Sequence, residues 1–438
     1  MKSNSTAHKN SLDVITALRG LCQILLLIYV ICFGTSTAVA KDDADNKIRL
    51  YLDADQTGTR ASGIAIERGI RVALDEVDNT ILGRKVELVV RDHHGSSVRS
   101  KSHLQEYLND DTALAVFSGL HSPPLLENLA FIHENKILLL DPWAAAGPIT
   151  RYPSDTNWVF RLSVDDSKAG AVIAKHALKE GFKQPFLLLE NTGWGKSNHR
   201  TMTRALARHN ITPMGVKWFN WNLGIRSAKM ILRDIYSSGA DVIFLVANAP
   251  EGKTIAKAML ALRQEQTASH SETNPFDILP LRSHWGITGG DFPEVIDAKM
   301  RQHLDLKFLQ TRFSFNSSPP TALSKQVLKR AMALYPDEIT NAADITAPTG
   351  FIHAYDLCRI LIAAINQSGL SGDIQRDRGT VRKTLEVLKA PIQGLIKNYV
   401  HPFQVFNESH PDAHEALNAK DLVMGYYNED NRIVIVQE

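Results

Sequence analysis

The chain has 438 residues, of which 44% are hydrophobic, and its 49 Lys and Arg stand against 47 Asp and Glu. This length exceeds what one hydrophobic core usually serves, so two domains are expected. The formal net charge of +2 excludes a general electrostatic attraction to nucleic acid or to anionic lipid.

The N-terminal segment has the parts of a secretory signal peptide. Basic residues precede the apolar run 21–33, and Ala38-Val-Ala40 provides a small-residue exit. The run is shorter than the roughly 20 residues that a membrane-spanning helix needs. We therefore predict that residues 1–40 are a signal peptide, that cleavage follows Ala40, and that the mature chain is exported to the periplasm. An uncleaved membrane anchor is the alternative.

The first half of the mature chain alternates between strand and helix patterns. Strands are predicted at 47–53, 86–90, 113–117, 137–140 and 158–162, and helices at 62–77, 98–108 and 125–133. Ser62 is predicted to cap the first helix, because its hydroxyl can accept a hydrogen bond from a free amide in the first turn. The alternation predicts a parallel sheet with helices on both faces.

A second series of the same kind follows. Strands are predicted at 185–190, 216–219, 241–246 and 279–283, and helices at 169–179, 196–209, 225–236 and 252–263. Residues 264–275 are polar and predict an exposed loop. Further helices are predicted at 321–334, 348–366 and 380–388, before a terminal strand hairpin at 422–427 and 432–436.

Two features outside the strand ends carry predictions of their own. Once residues 1–40 are removed, Cys358 is the only cysteine, so no intrachain disulfide can form. It lies in an apolar stretch and is predicted to be a buried core residue. The mixed run Arg376-Asp377-Arg378 is interpreted as solvated surface.

Several short stretches resemble a known family when their order is considered. They are Ser62-Gly-Ile-Ala-Ile-Glu-Arg-Gly-Ile-Arg-Val-Ala-Leu, Val89-Val-Arg-Asp92, Ser118-Gly-Leu-His-Ser122, Leu140-Asp-Pro-Trp-Ala-Ala-Ala146 and Glu190-Asn-Thr-Gly-Trp-Gly195. Together with the order of elements over 48–436, they resemble the leucine/isoleucine/valine-binding family of type I periplasmic solute-binding proteins, which serve ABC importers.

The resemblance implies an α/β fold with two Rossmann-like lobes joined by three crossover strands and a ligand cleft between the lobes. Lobe 1 is expected at 46–163 and 313–399, and lobe 2 at 164–312 and 400–438. Ligands of open α/β sheets bind beyond the carboxyl ends of the strands, so the loops at those ends are the places to look.

The loop after residue 117 is the first candidate. The resemblance places Ser122 on the carboxylate-binding serine, and a helix start offers free amides and a partial positive charge. A plain N-cap serine is the alternative. His121 beside it is predicted either as a pocket wall or as a histidine that faces solvent.

Three more strand ends supply candidates. Trp143, Ala144 and Ala145 occupy a turn that contacts the solute in the family. Threonine is common in that turn, and an alanine in its place loses the hydroxyl group as a hydrogen-bond donor. Trp194 takes the place of a tyrosine that closes over the ligand, with a buried structural tryptophan as the alternative; the glycines beside it predict an exposed loop of close approach. Asn248 can donate and accept toward a polar ligand, or can be an ordinary turn residue.

Trp285 is the difference from the family pattern that matters most for ligand specificity. Relatives that bind α-amino acids place an acid there for the ammonium group, and an unpaired buried ammonium is costly. Asp53 or Asp55 can substitute for the acid, the ring of Trp285 can hold a cation, or the ligand has no ammonium. Trp143, Trp194 and Trp285 around one cleft favour a flat, aromatic or amide-like solute.

The predicted ligand-binding residues are Ser62, His121, Ser122, Trp143, Ala144, Ala145, Trp194, Asn248 and Trp285. No catalytic residue, metal site or cofactor is predicted, because the nucleophile elbow, the Walker loop and the H-E-x-x-H motif are missing from the sequence. The neighbouring pair His93 and His94 would point to opposite faces of a strand and is not interpreted as a metal site.

The function predicted is a periplasmic binding protein that is not an enzyme. It would deliver an amino acid, an amide or an aromatic acid to the membrane subunits of an ABC permease, with no nucleic-acid partner. The alternative is a periplasmic ligand sensor that passes a signal to a membrane receptor.

Overall fold

The structure is a computed structural model that describes residues 47–154, 156–268, 278–316, 319–407 and 409–437. The predicted signal peptide and its cleavage site lie outside the described residues. Within the described residues, no helix has the length and apolar character needed to cross a membrane.

Fifteen strands and twelve helices are seen in the described residues. The strands are β1 (Lys47–Ala54), β2 (Thr80–Ile81), β3 (Arg84–Asp92), β4 (Ala113–Ser118), β5 (Leu139–Asp141), β6 (Val159–Arg161), β7 (Pro185–Glu190), β8 (Gly215–Phe219), β9 (Val242–Val246), β10 (Leu281–Ser283), β11 (Leu306–Thr311), β12 (Ile392–Gln393), β13 (Asn398–Tyr399), β14 (Leu422–Tyr427) and β15 (Ile433–Ile435). The helices are α1 (Arg60–Asp75), α2 (Ser97–Leu108), α3 (Ser122–Glu134), α4 (Asp166–Lys179), α5 (Gly193–Ala207), α6 (Ile225–Tyr236), α7 (Ala249–Ala268), α8 (Phe292–Val295), α9 (Ala298–Arg301), α10 (Ala322–Leu334), α11 (Pro348–Ser368) and α12 (Ile374–Leu385).

The first sheet has six strands in the order β2-β3-β1-β4-β5-β6. Strands β1, β4, β5 and β6 run parallel to one another. Every residue of β4 is buried, as expected for a strand with helices on both faces of its sheet. The carboxyl ends of β1, β4 and β5 therefore meet along one edge.

The second sheet has seven strands in the order β15-β14-β11-β10-β9-β7-β8. The five strands from β7 to β11 are parallel, whereas β14 and β15 are antiparallel additions that form the predicted C-terminal hairpin. Because β8 and β9 flank β7 on opposite sides, the helices leave β7 and β9 in different directions. Such a reversal of strand order opens a crevice at the carboxyl ends, where ligands bind in folds of this type.

The two sheets and their helices make two lobes, and the predicted fold class is confirmed. Helix α11 packs on α1, and α12 packs on β4, so residues after β11 return to the first sheet. The chain passes between the sheets in three segments, after Arg161, after Thr311 and after Tyr399. Residues Ile48–Leu82 and Val86–Glu438 form one compact unit. The lobe boundaries given above stay a prediction.

Two predictions about helix starts and ends are wrong. Helix α1 begins at Arg60 with Thr59 as its N-cap, and the Ser62 hydroxyl donates to the carbonyl oxygen of Thr59 (2.7 Å), so Ser62 does not cap the helix. Helix α7 continues to Ala268, so the first residues of the predicted polar loop are helical. Residues 269–275 of the predicted loop lie outside the described residues.

The charged run at 376–378 is solvated surface only at Arg376, which is exposed. Asp377 and Arg378 are buried in α12, and the guanidinium of Arg378 lies 4.2 Å from the centre of the Tyr107 ring. Its Nε donates to the carbonyl oxygen of Ala113 (2.8 Å). Arg378 thus contacts the first sheet, whereas the Asp377 carboxylate accepts hydrogen bonds from Ser371 and Gly372 in the loop before α12. A local interpretation of charge does not reveal either role. Cys358 is fully buried, as predicted.

Candidate ligand cavity at the strand ends

A narrow cavity, whose free space is about that of one water molecule, lies where loops of the two lobes meet. Its lining residues are Leu120, His121, Ser122, Pro123, Trp143, Ala145, Glu190, Trp194, Asn248, Trp285 and Gly286. These residues follow β4 and β5 in lobe 1 and β7, β9 and β10 in lobe 2. Of the nine residues predicted from the sequence, only Ser62 and Ala144 do not line it.

Ser122 is the first residue of α3, and its neighbour His121 is the N-cap. The hydroxyl oxygen of Ser122 accepts a hydrogen bond from the amide of Ala146 (3.3 Å), which leaves the hydroxyl proton available to a solute. The free amides expected at this helix start are reduced, since Pro123 and Pro124 carry no N–H. The hydroxyl, rather than a row of helix amides, is the donor at this position.

The turn after β5 is shaped by Asp141. Its Oδ1 accepts hydrogen bonds from the amides of Trp143 (3.0 Å) and Ala144 (2.8 Å), so neither amide is free for a solute. The amide of Ala145 has no hydrogen-bond partner among the described residues. Burial raises the pKa of Asp141 to about 7. Trp143 is fully buried, and its indole Nε1 also has no partner in the described part of the chain.

Arg161 holds the same turn from behind the cavity. Its guanidinium donates to the carbonyl oxygens of Ala144 (3.2 Å) and Ala146 (2.9 Å) and to the carboxylate of Glu415 (2.6 Å). The side chains of Arg161 and Glu415 are both fully buried. A charge-assisted network of this kind fixes the turn, and it explains why Ala144 faces Arg161 instead of the cavity.

Trp194 forms part of the lobe 2 wall. It is the second residue of α5, it is buried, and its Nε1 donates to Asp166 (3.0 Å). The prediction of an exposed loop is wrong, because residues 193–195 make the first turn of α5, in which Trp194 and Gly195 are buried. The prediction of close approach holds at Gly195, where an added Cβ would collide with the carbonyl oxygen of Glu190.

Asn248 and Trp285 complete that wall. Asn248 is buried, and its Nδ2 donates to Oε2 of Glu190 (3.1 Å). Trp285 is also buried and has the rings of His284 and His353 within 5.4 and 5.6 Å of its own, measured between centroids. No basic side chain lines this wall among the described residues.

Neither acid suggested as a substitute at the ammonium position lines the cavity. Asp53 is bonded to His103 (2.7 Å) and Ser100 (2.6 Å). Asp55 accepts hydrogen bonds from the amides of its own loop, such as that of Gly58 (2.7 Å), and lies 3.2 Å from His121 Nε2. The Asp53 carboxylate is therefore engaged with α2, and the Asp55 carboxylate with its own loop and His121.

His121 is buried, so the alternative of a solvent-facing histidine is wrong. Its Nε2 lies 3.2 Å from both Asp55 Oδ2 and Thr59 Oγ1, whereas its Nδ1 has no partner in the described residues. The centroid of its ring lies 5.1 Å from that of Trp221, a residue that follows β8 in lobe 2. His121 therefore forms a contact between the lobes as well as part of the cavity wall.

Sequence reasoning missed four lining residues, Leu120, Pro123, Glu190 and Gly286, and among them only Glu190 has a titratable side chain. It is the last residue of β7 and is fully buried, and its carboxyl accepts hydrogen bonds from Thr192 Oγ1 (2.6 Å) and Trp221 Nε1 (3.3 Å) in addition to Asn248. Burial raises the pKa of Glu190 to about 8. The available signal was an acid placed directly after the apolar run Phe186-Leu-Leu-Leu, at the carboxyl end of a buried strand.

Residues 51–264 match the family model of periplasmic binding proteins. The chain has the fold of type I periplasmic binding proteins. The resemblance predicted from the sequence is confirmed. No curated protein matches the chain by sequence.

Solved structures of periplasmic binding proteins match nearly the whole chain. A type 1 periplasmic binding protein from Bordetella pertussis has a TM-score of 0.71 at 16% identity and covers 90% of this chain and 100% of its own. An ABC-transporter solute-binding protein from R. palustris, solved with 4-hydroxybenzoate, has 0.71 at 17% and covers 90% and 96%. A leucine-binding protein from Thermotoga maritima has 0.66 at 17% and covers 89% and 98%. Identities this low establish the shared fold.

Proposed function

We propose that this periplasmic binding protein closes its two lobes around one small organic carboxylate and releases it unchanged to the membrane subunits of an ABC permease. The observation that carries the proposal is the cavity itself. Seven of the predicted residues, which lie at separate strand ends from His121 to Trp285, line one cavity between the two lobes. A shared space of this kind fits hinge closure around a ligand.

The lobe 1 wall supports a carboxylate as the recognised group. Ser122 has a free hydroxyl proton, and the amide of Ala145 and the indole Nε1 of Trp143 have no partner among the described residues. Donors buried without a partner cost free energy in the empty protein, which an anionic oxygen ligand would recover. A carboxylate can accept hydrogen bonds from all three.

The body of the solute would lie among three tryptophans. Trp143, Trp194 and Trp285 are each at least nine-tenths buried at the cavity. Aromatic walls favour flat or apolar solute bodies. The structural relatives include proteins solved with 4-hydroxybenzoate and with benzoate, and a leucine-binding protein. We therefore place the solute among amino acids and aromatic acids.

The cellular part of the proposal rests on the signal segment and the family. Export to the periplasm with cleavage after Ala40, and delivery to an ABC permease, complete the proposed function. Mass spectrometry of the N-terminus of protein purified from a periplasmic extract tests the export step, with a first residue of Lys41 as the expected result.

The binding step is tested with a panel of probes on residues 41–438. The probes are L-leucine, L-phenylalanine, benzoate, 4-hydroxybenzoate and benzamide, with thermal unfolding and calorimetry as readouts. At least one carboxylate is expected to raise Tm by several degrees at saturation, because a ligand at about 100 times its Kd stabilises the folded state by about 2.7 kcal/mol.

Ser122→Ala is expected to weaken that carboxylate about tenfold, since it removes a hydrogen bond to a charged group. Ser102→Ala is the matched control, because Ser102 is exposed on α2. A panel in which no carboxylate binds, or in which Ser122→Ala and Ser102→Ala bind alike, contradicts the proposal. Tighter binding of benzamide than of benzoate would contradict its carboxylate part.

A further inference from the structure

We infer that Glu190 determines the specificity of this cavity by receiving a protonated amine of the solute, at the end opposite its carboxylate. The inference rests on the proposed function and deepens it, because it selects amino acids over acids that lack an amine. Glu190 is the only carboxyl group that lines the cavity in the described part of the chain.

The polar groups of the cavity are divided between the lobes. The free donors, at Ser122, Trp143 and Ala145, follow β4 and β5 of lobe 1. Glu190 ends β7 of lobe 2, and no Lys or Arg lines the cavity. One wall thus offers hydrogen-bond donors and the other offers a carboxyl group. A solute with a negative and a positive end matches both walls when the lobes close.

The hydrogen bonds of Glu190 leave it without a counter-charge. Its three donors, Thr192, Trp221 and Asn248, are neutral, and no salt bridge to Glu190 occurs in the described residues. An ionised carboxylate has about four acceptor positions, so one remains for a solute. A buried charge without a partner is costly, so the empty protein keeps this group protonated near neutral pH. The raised pKa, to about 8, agrees with that state.

The charges nearest to Glu190 are also negative. Asp166 and Glu251 are both buried in lobe 2, and their carboxyls raise the pKa of Glu190 further. The nearest titratable group of lobe 1 at the cavity is His121, which is already paired with Asp55. A cation that enters beside Glu190 would meet its carboxyl group, with Asp166 and Glu251 behind it, and would displace the proton that Glu190 holds.

The position of Glu190 also explains how the cavity could bind an ammonium group although Trp285 replaces the expected acid. An acid was expected there for an amino-acid solute, and Asp53 and Asp55 point into other networks. Glu190 supplies a carboxyl group to the same cavity from a different strand. A tryptophan at 285 is then compatible with a solute that carries an ammonium group.

A purely structural role for Glu190 makes different predictions. In that role the carboxyl only ties together the loops that carry Thr192, Trp221 and Asn248. Its loss would weaken every solute alike, and solute binding would release no proton. The two roles are therefore separable by comparing solutes that differ only in the amine.

The test is calorimetry at pH 7 on residues 41–438 with two matched pairs of probes. The pairs are L-phenylalanine with 3-phenylpropanoate, and L-leucine with 4-methylpentanoate. Titration in buffers of different ionisation enthalpy reports proton release. We expect one of the amino acids to bind roughly 30-fold or more tighter than its partner and to release close to one proton.

Glu190→Gln keeps the size of the side chain and its hydrogen bonds to Trp221 and Asn248 in part, but it cannot carry charge. We expect it to lose the preference for the amine and the proton release, with less than about threefold change for the amine-free acid. Glu251→Gln is the control for general negative charge, because Glu251 does not line the cavity. It is expected to keep the preference for the amine.

Each result decides the matter. Amine-free acids that bind as well as or better than their partners, or amino acids that bind without proton release, overturn the inference and leave the proposed function standing. Equal losses for both members of a pair in Glu190→Gln also overturn it. If no probe binds at all, the proposed function falls together with the inference. The wild-type comparison decides the case even if Glu190→Gln does not fold.

Discussion

Two buried carboxyls at strand ends, Asp141 and Glu190, show how residues of one type acquire different tasks. Both follow apolar strands, and burial raises the pKa of each, to about 7 for Asp141 and about 8 for Glu190. Asp141 turns toward the amides of Trp143 and Ala144, so it shapes a loop. Glu190 lies against the cavity and receives only side-chain donors. The sequence shows an acidic residue at the end of each strand, but it does not predict the direction in which each carboxyl group points.

The carboxyl of Asp141 is expected to make the folded state less stable as pH rises. Its pKa in the folded state, about 7, lies above its ordinary value, so the folded state binds a proton that the unfolded state has already lost. The favourable contribution is fully present below about pH 4 and is lost as pH rises through 7. Asp141→Asn keeps an acceptor for the two amides and removes the titration.

Urea unfolding at pH 5 and pH 7 measures this effect. Between these values we expect the wild type to lose roughly 2 kcal/mol more of its unfolding free energy than Asp141→Asn. Glu190 titrates in both proteins, so the difference isolates Asp141. Asp111→Asn is the control, since Asp111 is exposed. Equal pH dependence in wild type and Asp141→Asn would contradict the assignment.

At the scale of elements, the junction of β7 and α5 positions two cavity residues at once. Glu190 ends the strand, Thr192 caps the helix, and Trp194 is in the first helical turn. The helix can begin so close to the strand because Gly195 has no side chain beside the carbonyl oxygen of Glu190. The sequence predicted both elements, but it predicted the helix three residues too late.

Gly193 and Gly195 offer a matched pair of substitutions at this junction. An added Cβ at Gly195 meets the backbone of Glu190, which cannot move without displacing the strand end. At Gly193 the added Cβ lies 2.5 Å from Cδ1 of Leu126, the tip of a flexible side chain. Gly195→Ala is therefore expected to lower the unfolding free energy by roughly 2 kcal/mol, and Gly193→Ala by less than about 1 kcal/mol.

Denaturant unfolding compares the two variants, and solute calorimetry follows the cavity. Gly195→Ala is also expected to weaken solute binding, because Glu190 and Trp194 move with the junction. A variant Gly195→Ala as stable as Gly193→Ala would show that the strand end is more adaptable than its packing indicates.

For the whole molecule, contacts between the lobes lie beside the cavity. The ring of Trp221 in lobe 2 lies against His121 and Gly95 of lobe 1. On another side, the amide of Gly147 donates to Ser197 Oγ (3.2 Å). Because Trp221 also donates to Glu190, its indole links lobe closure to the cavity.

Trp221→Ala is expected to shift the solute-free protein toward an open arrangement of the lobes. The substitution removes an aromatic contact between the lobes while it touches neither sheet core. Small-angle X-ray scattering is expected to give a larger radius of gyration for the solute-free variant than for the wild type. If the closed form falls to about a tenth of the molecules, the apparent affinity for solute falls about tenfold.

Trp218→Ala is the control for this experiment. Trp218 lies on β8, is 37% exposed, and contacts His199 within the same lobe. Its loss should leave the radius of gyration and the solute affinity near those of the wild type. Equal scattering profiles for Trp221→Ala and wild type would mean that other contacts hold the lobes closed.

The sequence by itself determined the alternation of strands and helices, the α/β class, the family resemblance and most of the cavity residues. Those follow from local periodicity and from strand ends, which neighbouring residues set along the chain. Strand β11 and the hairpin β12–β13 were not predicted from the sequence, because short strands of mixed polar and apolar residues show little periodicity.

Only the tertiary structure decided which strand ends share a cavity, and what each side chain does there. Positions 122, 143, 190, 248 and 285 meet because the sheet order and the three crossings bring distant loops together. The same packing buries Arg378, holds Asp55 in its own loop and places Glu190 in the cavity wall. Such contacts join residues that are far apart in the chain, so local sequence patterns cannot predict them.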